Sequence, residues 1–486
     1  MKLKKYLTPG LIADIVFVLF AYWLLAVRNG YMLRWYDEMS LFEPTGIFYR
    51  QFLYYPGGLL RYAGTWLTQL LYYPWLGSTA LIALWILLSR IISKAFCLSK
   101  DAASLSLLVP LALLVSIVQL DEAWLTLKTP GYIFSNTLGF IFTATVVLLY
   151  RIASSQWRIS ALIAVLSALC YVTAGFYALF ASVICLIMCV RTAIVRKNYL
   201  PLSAGALIIA SIAAIPPLYY TYLKGNTVDN DFLYLKGLPE ILLESFDYYL
   251  WIPFIAAMAI LLLLAGTNGM TFLKKSNRYV RASGLAAIIL GCIWGVMASG
   301  KSEQLRATVL MTQRLDKYDW QGMTAIMSRI KEPPNYTMRL LNNLALYNQG
   351  RQGESISKYS PAQGRDGRHS EKFTATVFVH VPVYYNIGRL SQSYRWAMEH
   401  TVQYGKRVFF LKYMVKNALL RGEITLAKRY NDILLKTMFH RKWAEEMNRF
   451  IENPLLIDSD PEFQRILQFG GEELADGNED NVAEIH

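Results

Sequence analysis

The sequence predicts an all-α chain: a polytopic helical membrane bundle of about nine transmembrane helices, followed by an extracytoplasmic α-helical, repeat-like domain. Three observations carry that prediction. The 486 residues are 55% hydrophobic and only 17% charged, whereas a soluble chain carries about a quarter charged residues. The apolar excess is confined to residues 1–299, a train of long apolar runs with few charges. From residue 300 the sequence turns mixed and polar, with apolar side chains recurring at helical spacing. Three segments follow: a transmembrane domain at 1–299 with a long first outer loop at 28–75, a helical domain at 300–449, and an acidic, flexible C-terminus at 450–486.

A helix needs about 20 largely apolar residues to cross the hydrocarbon core. Nine runs approach that length: 10–27, 76–93, 105–120, 137–153, 160–174, 176–190, 202–218, 250–266 and 282–299. The fifth and sixth form one apolar stretch that is split at Ala174 and Gly175, because an unbroken helix would overshoot the bilayer. The start has a basic n-region and an apolar core like a signal peptide. No small-x-small cleavage site follows it, so it reads as a retained first helix.

Charge assigns the orientation. Residues 1–299 hold 22 Lys+Arg, and a cytoplasmic N-terminus puts 15 of them in or beside inner segments, as the positive-inside rule requires. The acids sort the other way, with Asp37, Glu38, Glu43, Asp121, Glu122, Asp229, Asp231, Glu240, Glu244 and Asp247 in outer loops. Nine crossings then place the tail outside the cytoplasmic (inner) membrane. The net charge of +14 thus has a membrane origin, and nucleic acid is not implied as a partner. All five cysteines lie in or beside the apolar runs, which excludes a disulfide framework or a multi-cysteine zinc site in the tail.

The first outer loop is the most unusual segment. It opens Arg28-Asn-Gly-Tyr-Met-Leu-Arg34-Trp-Tyr36-Asp37-Glu38 and continues into two amphipathic stretches divided by Pro56-Gly57-Gly58. In the second, Leu59, Leu60, Ala63, Leu67, Leu70 and Leu71 oppose Arg61, Thr65, Thr68 and Gln69, the pattern of a helix lying flat in the membrane interface. Tyr54-Tyr55-Pro56 and Tyr72-Tyr73-Pro74 bracket it, and tyrosine rings favour that interface.

This layout, with the Tyr36-Asp37-Glu38 motif, resembles the polytopic GT-C-type membrane glycosyltransferases, which use a lipid-phosphate-linked sugar donor. The resemblance covers the plan of about the first 300 residues and implies that Asp37 is the general base or acceptor-orienting carboxylate, with Glu38 beside it. Transfer from a polyprenyl phosphate needs a carboxylate to take the acceptor proton and cations for the leaving phosphate. Arg28, Arg34, Arg50, Arg61 and Lys128 supply cations at the outer interface. Asp121 and Glu122 would complete an acidic site or hold a divalent metal ion with Asp37. No cofactor is otherwise implied.

Other chemistries find less support. All five histidines (His369, His380, His400, His440, His486) lie in the tail, which argues against haem or metal ligation within the membrane. Residues 295–302 match G-x-x-x-x-G-K-[ST] but complete an apolar helix instead of following a strand, so the context of a phosphate-binding loop is missing. Two alternatives remain: a non-enzymatic, membrane-anchored helical-repeat scaffold for envelope assembly, and a lipid or glycan transporter.

The tail carries glycine turns at Gly350, Gly388 and Gly422, the last two 34 residues apart, the tetratricopeptide period. Asn417-Ala-Leu-Leu-Arg-Gly422-Glu423 followed by Ala427 resembles the centre of a tetratricopeptide (TPR) repeat. This implies a TPR-like domain able to engage an envelope protein partner. Residues 300–449 hold 25 basic and 12 acidic groups, a balance that suits membrane lipids or an anionic glycan. Residues 450–486 hold one basic and ten acidic groups, the composition of a solvated terminus.

Overall fold

The computed structural model describes residues 9–99, 102–120, 131–197, 202–223, 233–238, 242, 248–267, 278–299, 302–351 and 373–469. Among them, helix is the only regular structure beyond one isolated bridge, Lys236 to Leu238. They form two compact units. The first holds the chain to Leu33, then Pro44–Leu120 and the described residues as far as Ser299; the second holds Arg34–Glu43 and the described residues from Ser302 onward. The Tyr-Asp-Glu segment therefore groups with the tail and not with the membrane helices, which local pattern gave no reason to expect.

Among the described residues of the first unit, six helices are long and apolar enough to cross a membrane: Gly10–Arg28, Pro74–Ala95, Tyr132–Ser155, Phe176–Val195, Ser203–Tyr222 and Tyr279–Ala298. Three shorter apolar helices, Ala103–Val118, Trp157–Leu169 and Trp251–Gly266, occupy the other runs. The long apolar stretch does break where glycine permits: after Tyr171–Ala174, Gly175 takes φ +58° and Phe176 opens the next helix. Its amide donates to the Lys236 carbonyl at 2.9 Å. Asp14, the one acid within the first helix, is buried and ion-paired with Arg90, which offsets the desolvation of the carboxylate.

The loop elements are α1 (Gly30–Glu38), α2 (Gly46–Leu53) and α3 (Gly58–Thr68). Thr45 caps α2 by accepting from the Phe48 amide at 3.3 Å, satisfying a donor that the first turn leaves open. Burial along α3 inverts the usual order: Gly64, Thr65 and Thr68 are buried, while Leu59 and Trp66 are more than 40% exposed. The two threonine hydroxyls return to carbonyls one turn back, at 2.8 Å each, so the polar stripe can be buried. An apolar outer face belongs on a surface that meets lipid.

Close backbone packing holds α3 in place. A Cβ on Gly64 would lie 2.6 Å from the Ser135 nitrogen and 2.7 Å from the Gly131 carbonyl oxygen, at the start of α4 (Tyr132–Ile152).

In the second unit, α5 (Glu303–Leu315), α6 (Trp320–Arg329) and α7 (Tyr336–Asn348) precede α8 (Phe373–Asn386), α9 (Leu390–Tyr404), α10 (Val408–Leu420) and α11 (Ile424–Leu434). Met311, Leu315, Met323, Leu341, Leu344, Val379 and Val383 pack one core. The turns at Gly350, Gly388 and Gly422 have φ of +69°, +76° and +74°.

The expectation of a flexible terminus from residue 450 fails for its first part. Helices α12 (Arg441–Glu452) and α13 (Pro461–Phe469) flank a 3-10 turn at Pro454–Ser459, and Phe463 and Ile466 are buried. The acids there are structural: Asp460 accepts from the Glu462 and Phe463 amides at 2.9 and 3.1 Å, and Glu462 holds Lys416 at 2.7 Å. Residues 470–486 lie outside the described residues, as does the polar insertion expected at 352–372.

Gly64→Ala should lower stability by about 1–3 kcal/mol, the usual range for overpacking against atoms that cannot give way. Gly46→Ala, where nothing lies within 4 Å, should leave it unchanged. Thermal melts of both variants in one detergent check the contrast.

Candidate functional site

The second unit contains a buried acid–base cluster built around the Asp37-Glu38 pair. Helix α1 ends at Glu38, and the Ser40 amide and hydroxyl both donate to the Asp37 carbonyl, at 3.0 and 2.9 Å. This turn buries Trp35, Tyr36, Met39, Leu41 and Phe42. Trp35 packs at a tilt against Phe409 with centroids 5.0 Å apart, and the Val408 amide, opening α10, donates to the Ser40 carbonyl at 3.2 Å. Beside it the buried Arg407 guanidinium lies over the rings of Tyr404 (5.1 Å) and Phe378 (5.6 Å). Burial pulls its pKa down to about 10.

Asp37 is 2% exposed, and its Oδ2 lies 2.9 Å from Nε2 of His440, the residue that precedes α12. Burial raises the Asp37 pKa above its ordinary 3.8, and the His440 hydrogen bond opposes that rise. Glu38 lies 3.7 Å from Arg34 and 3.9 Å from Lys412. Asp316, at the end of α5, accepts from the Tyr413 hydroxyl at 2.8 Å. Burial and the Glu38 charge lift its pKa to about 6, against the pull of Lys412 and Lys416. Glu462 accepts from Lys416 at 2.7 Å and from Tyr385 at 3.0 Å. Burial works to raise its pKa, yet Lys416 and the tyrosine hydroxyls hold it below the ordinary value.

Carboxylates thus alternate with His440, Lys412 and Lys416 in a poorly hydrated place, the setting in which charges interact strongly. Asp37, a carboxyl with a raised pKa beside His440, can exchange a proton nearer neutral pH than a free carboxyl does. Among the described residues, no group of three or more His, Cys, Asp or Glu side chains is placed to hold a metal ion.

Of the residues the sequence singled out, Asp37, Glu38 and Arg34 come together here. Arg28, Arg50 and Arg61 belong to the first unit. Arg28 donates to the Ser299 carbonyl at 3.3 Å, Arg50 is exposed on α2, and Arg61 is half-buried on α3. Asp121, Glu122 and Lys128 lie outside the described residues, so the acidic or metal site expected of the first two is not described.

Sequence reasoning missed His440, Lys412, Lys416, Asp316 and Glu462. One signal was available: Lys412 and Lys416 are the only charges in the apolar helix Val408–Leu420, and their spacing of four puts them on one face. Nothing local marked His440, which lies 403 positions from its partner.

A model described as "Family of unknown function (DUF6057)" matches residues 4–485, and the chain belongs to that family. No curated protein and no solved structure matches it.

His440→Ala should destabilise the fold by about 3–5 kcal/mol, because it strands a buried carboxylate; a chemical melt gives the value. Asp316 yields a pH signature. Its folded pKa, about 6, exceeds the ordinary 3.8, so it favours folding most below the ordinary value and loses that favour as pH rises through 6. Asp316→Asn lacks this slope, so its melting temperature relative to the parent should climb between pH 4 and pH 6.

Proposed function

Starting from a chain whose family has no known function, we propose that it is an integral membrane glycosyltransferase moving a sugar from a lipid-phosphate-linked donor to an acceptor at the outer face. One observation carries this reading: Asp37, in the Tyr-Asp-Glu motif after the first apolar helix, is held by His440 amid Glu38 and Lys412. In this role Asp37 takes the acceptor hydroxyl proton as the acceptor oxygen bonds to the anomeric carbon. The sugar–phosphate C–O bond breaks, and its electron pair leaves with the lipid phosphate, near which a lysine ammonium is favourable. A carboxylate with a raised pKa is the better base for such a step, since its proton affinity lies nearer the working pH.

The closure of the pair favours a second reading. With Asp37 at 2% exposure, the Asp37–His440 bond would serve only to lock Arg34–Glu43 onto the tail helices. The protein would then be a TPR-like scaffold for envelope assembly.

Asp37→Asn separates the two, because an asparagine oxygen still accepts from His440 but is no base. A transferase should lose its glycolipid or surface-glycan product, read in a deletion strain complemented with the variant, while its melting temperature stays near the parent's. Full complementation by Asp37→Asn, with failure of His440→Ala, would leave only the scaffold.

The outer-face assignment takes the three shorter helices as crossings alongside the six long ones, an odd total that separates the two termini. A cysteine at Leu455, 78% exposed, should then react with a membrane-impermeant maleimide in intact cells when placed in a cysteine-free background. Protection until lysis would put the tail on the cytoplasmic side.

A further inference from the structure

The outward face of α2 and the turn after it carry a site separate from the acid–base cluster. From one side α2 is fastened to α3 by rings: Phe48, Tyr49 and Phe52 pack on Tyr62, with centroids 6.3, 5.0 and 5.9 Å apart. The opposite stripe, Ile47, Arg50, Gln51, Tyr54 and Tyr55, lines an open pocket of about 500 Å³. Ile47, Arg50 and Gln51, at spacings of three and four, share one helical face, and Tyr54 and Tyr55 follow just past the end of the helix. Ile47 is 75% exposed, and Tyr54 and Tyr55 nearly half exposed.

On a helix facing water, this outward stripe would be polar. Here an isoleucine and two tyrosines surround one guanidinium and one amide, and residues 44–73 contain Arg50 and Arg61 but no Asp or Glu. Trp66, Tyr73 and Trp75, later in the same loop, are exposed as well. Tyrosine, tryptophan and a lone arginine on an apolar background are the residues that settle at the headgroup level of a bilayer.

We propose that this stripe is a binding site for the headgroup of an anionic bilayer phospholipid. The Arg50 guanidinium takes the phosphodiester through paired N–H donors, the Gln51 amide and the tyrosine hydroxyls meet the glycerol and ester oxygens, and Ile47 lies along an acyl chain. One cation in a stretch of chain that carries no acid matches the single charge of a phosphodiester. A pyrophosphate would call for more positive charge than this pocket offers. The site belongs to the first unit and stands or falls independently of Asp37.

The test uses the full-length protein in a neutral detergent, titrated with phosphatidylglycerol or phosphatidylcholine, with bound lipid counted by native mass spectrometry. Phosphatidylglycerol should be retained in preference. Arg50→Gln should weaken it about tenfold, and Tyr55→Ala, which keeps the cation, by a smaller factor, each with an unaltered melting temperature. Millimolar inorganic phosphate should not displace the lipid. The proposal is overturned if Arg50→Gln retains phosphatidylglycerol like the parent, if inorganic phosphate displaces the lipid, or if polyprenyl phosphate is held and phosphatidylglycerol is not.

Discussion

A buried carboxylate must be neutralised or paired, and that constraint organises the second unit. Asp37 and Glu38 are both nearly inaccessible to solvent, where an unpartnered charge is costly. His440 and Lys412 answer them, and each brings its own helix with it. Lys412 shares α10 with Lys416, which in turn holds Glu462 at the start of α13. A ten-residue segment from the first loop, Arg34–Glu43, is thereby built into a helical domain whose other described residues come from the far end of the chain. The same chain of pairs makes the acidic C-terminal helices part of the fold.

The first unit obeys a different constraint, since its long helices are apolar enough to cross a membrane. Backbone groups are satisfied within helices, and small residues allow helices to approach closely. Helix α3 illustrates the consequence: its threonines face inward, hydrogen-bonded to their own backbone, and its leucine and tryptophan face outward. Helix α2 has two apolar faces, one fastened to α3 through Tyr62 and one open around Arg50.

Much of the architecture was legible because it follows from local composition. Apolar runs located all of the apolar helices of the first unit, and the glycine at 175 marked the break within the longest of them. The turn glycines of the tail were equally readable, each at positive φ. The candidate site was legible by half. Asp37 and Glu38 stood out as acids in an aromatic segment, but their partners are hundreds of residues away and sit in helices of ordinary appearance. The acidic end misled for a related reason: net composition suggested a solvated tail, whereas Asp460 and Glu462 serve individually as a cap and an ion-pair partner.

The sequence by itself determined the apolar helices, the amphipathic loop behind the first of them and the helical character of the tail. Each is set by the periodicity of neighbouring side chains against water or lipid. Only the tertiary structure decided that Arg34–Glu43 folds with the tail, that His440 meets Asp37, and which face of each loop helix is open. Those outcomes depend on pairing buried charge and on close backbone contact between segments remote in the chain. Neither quantity has a local signature.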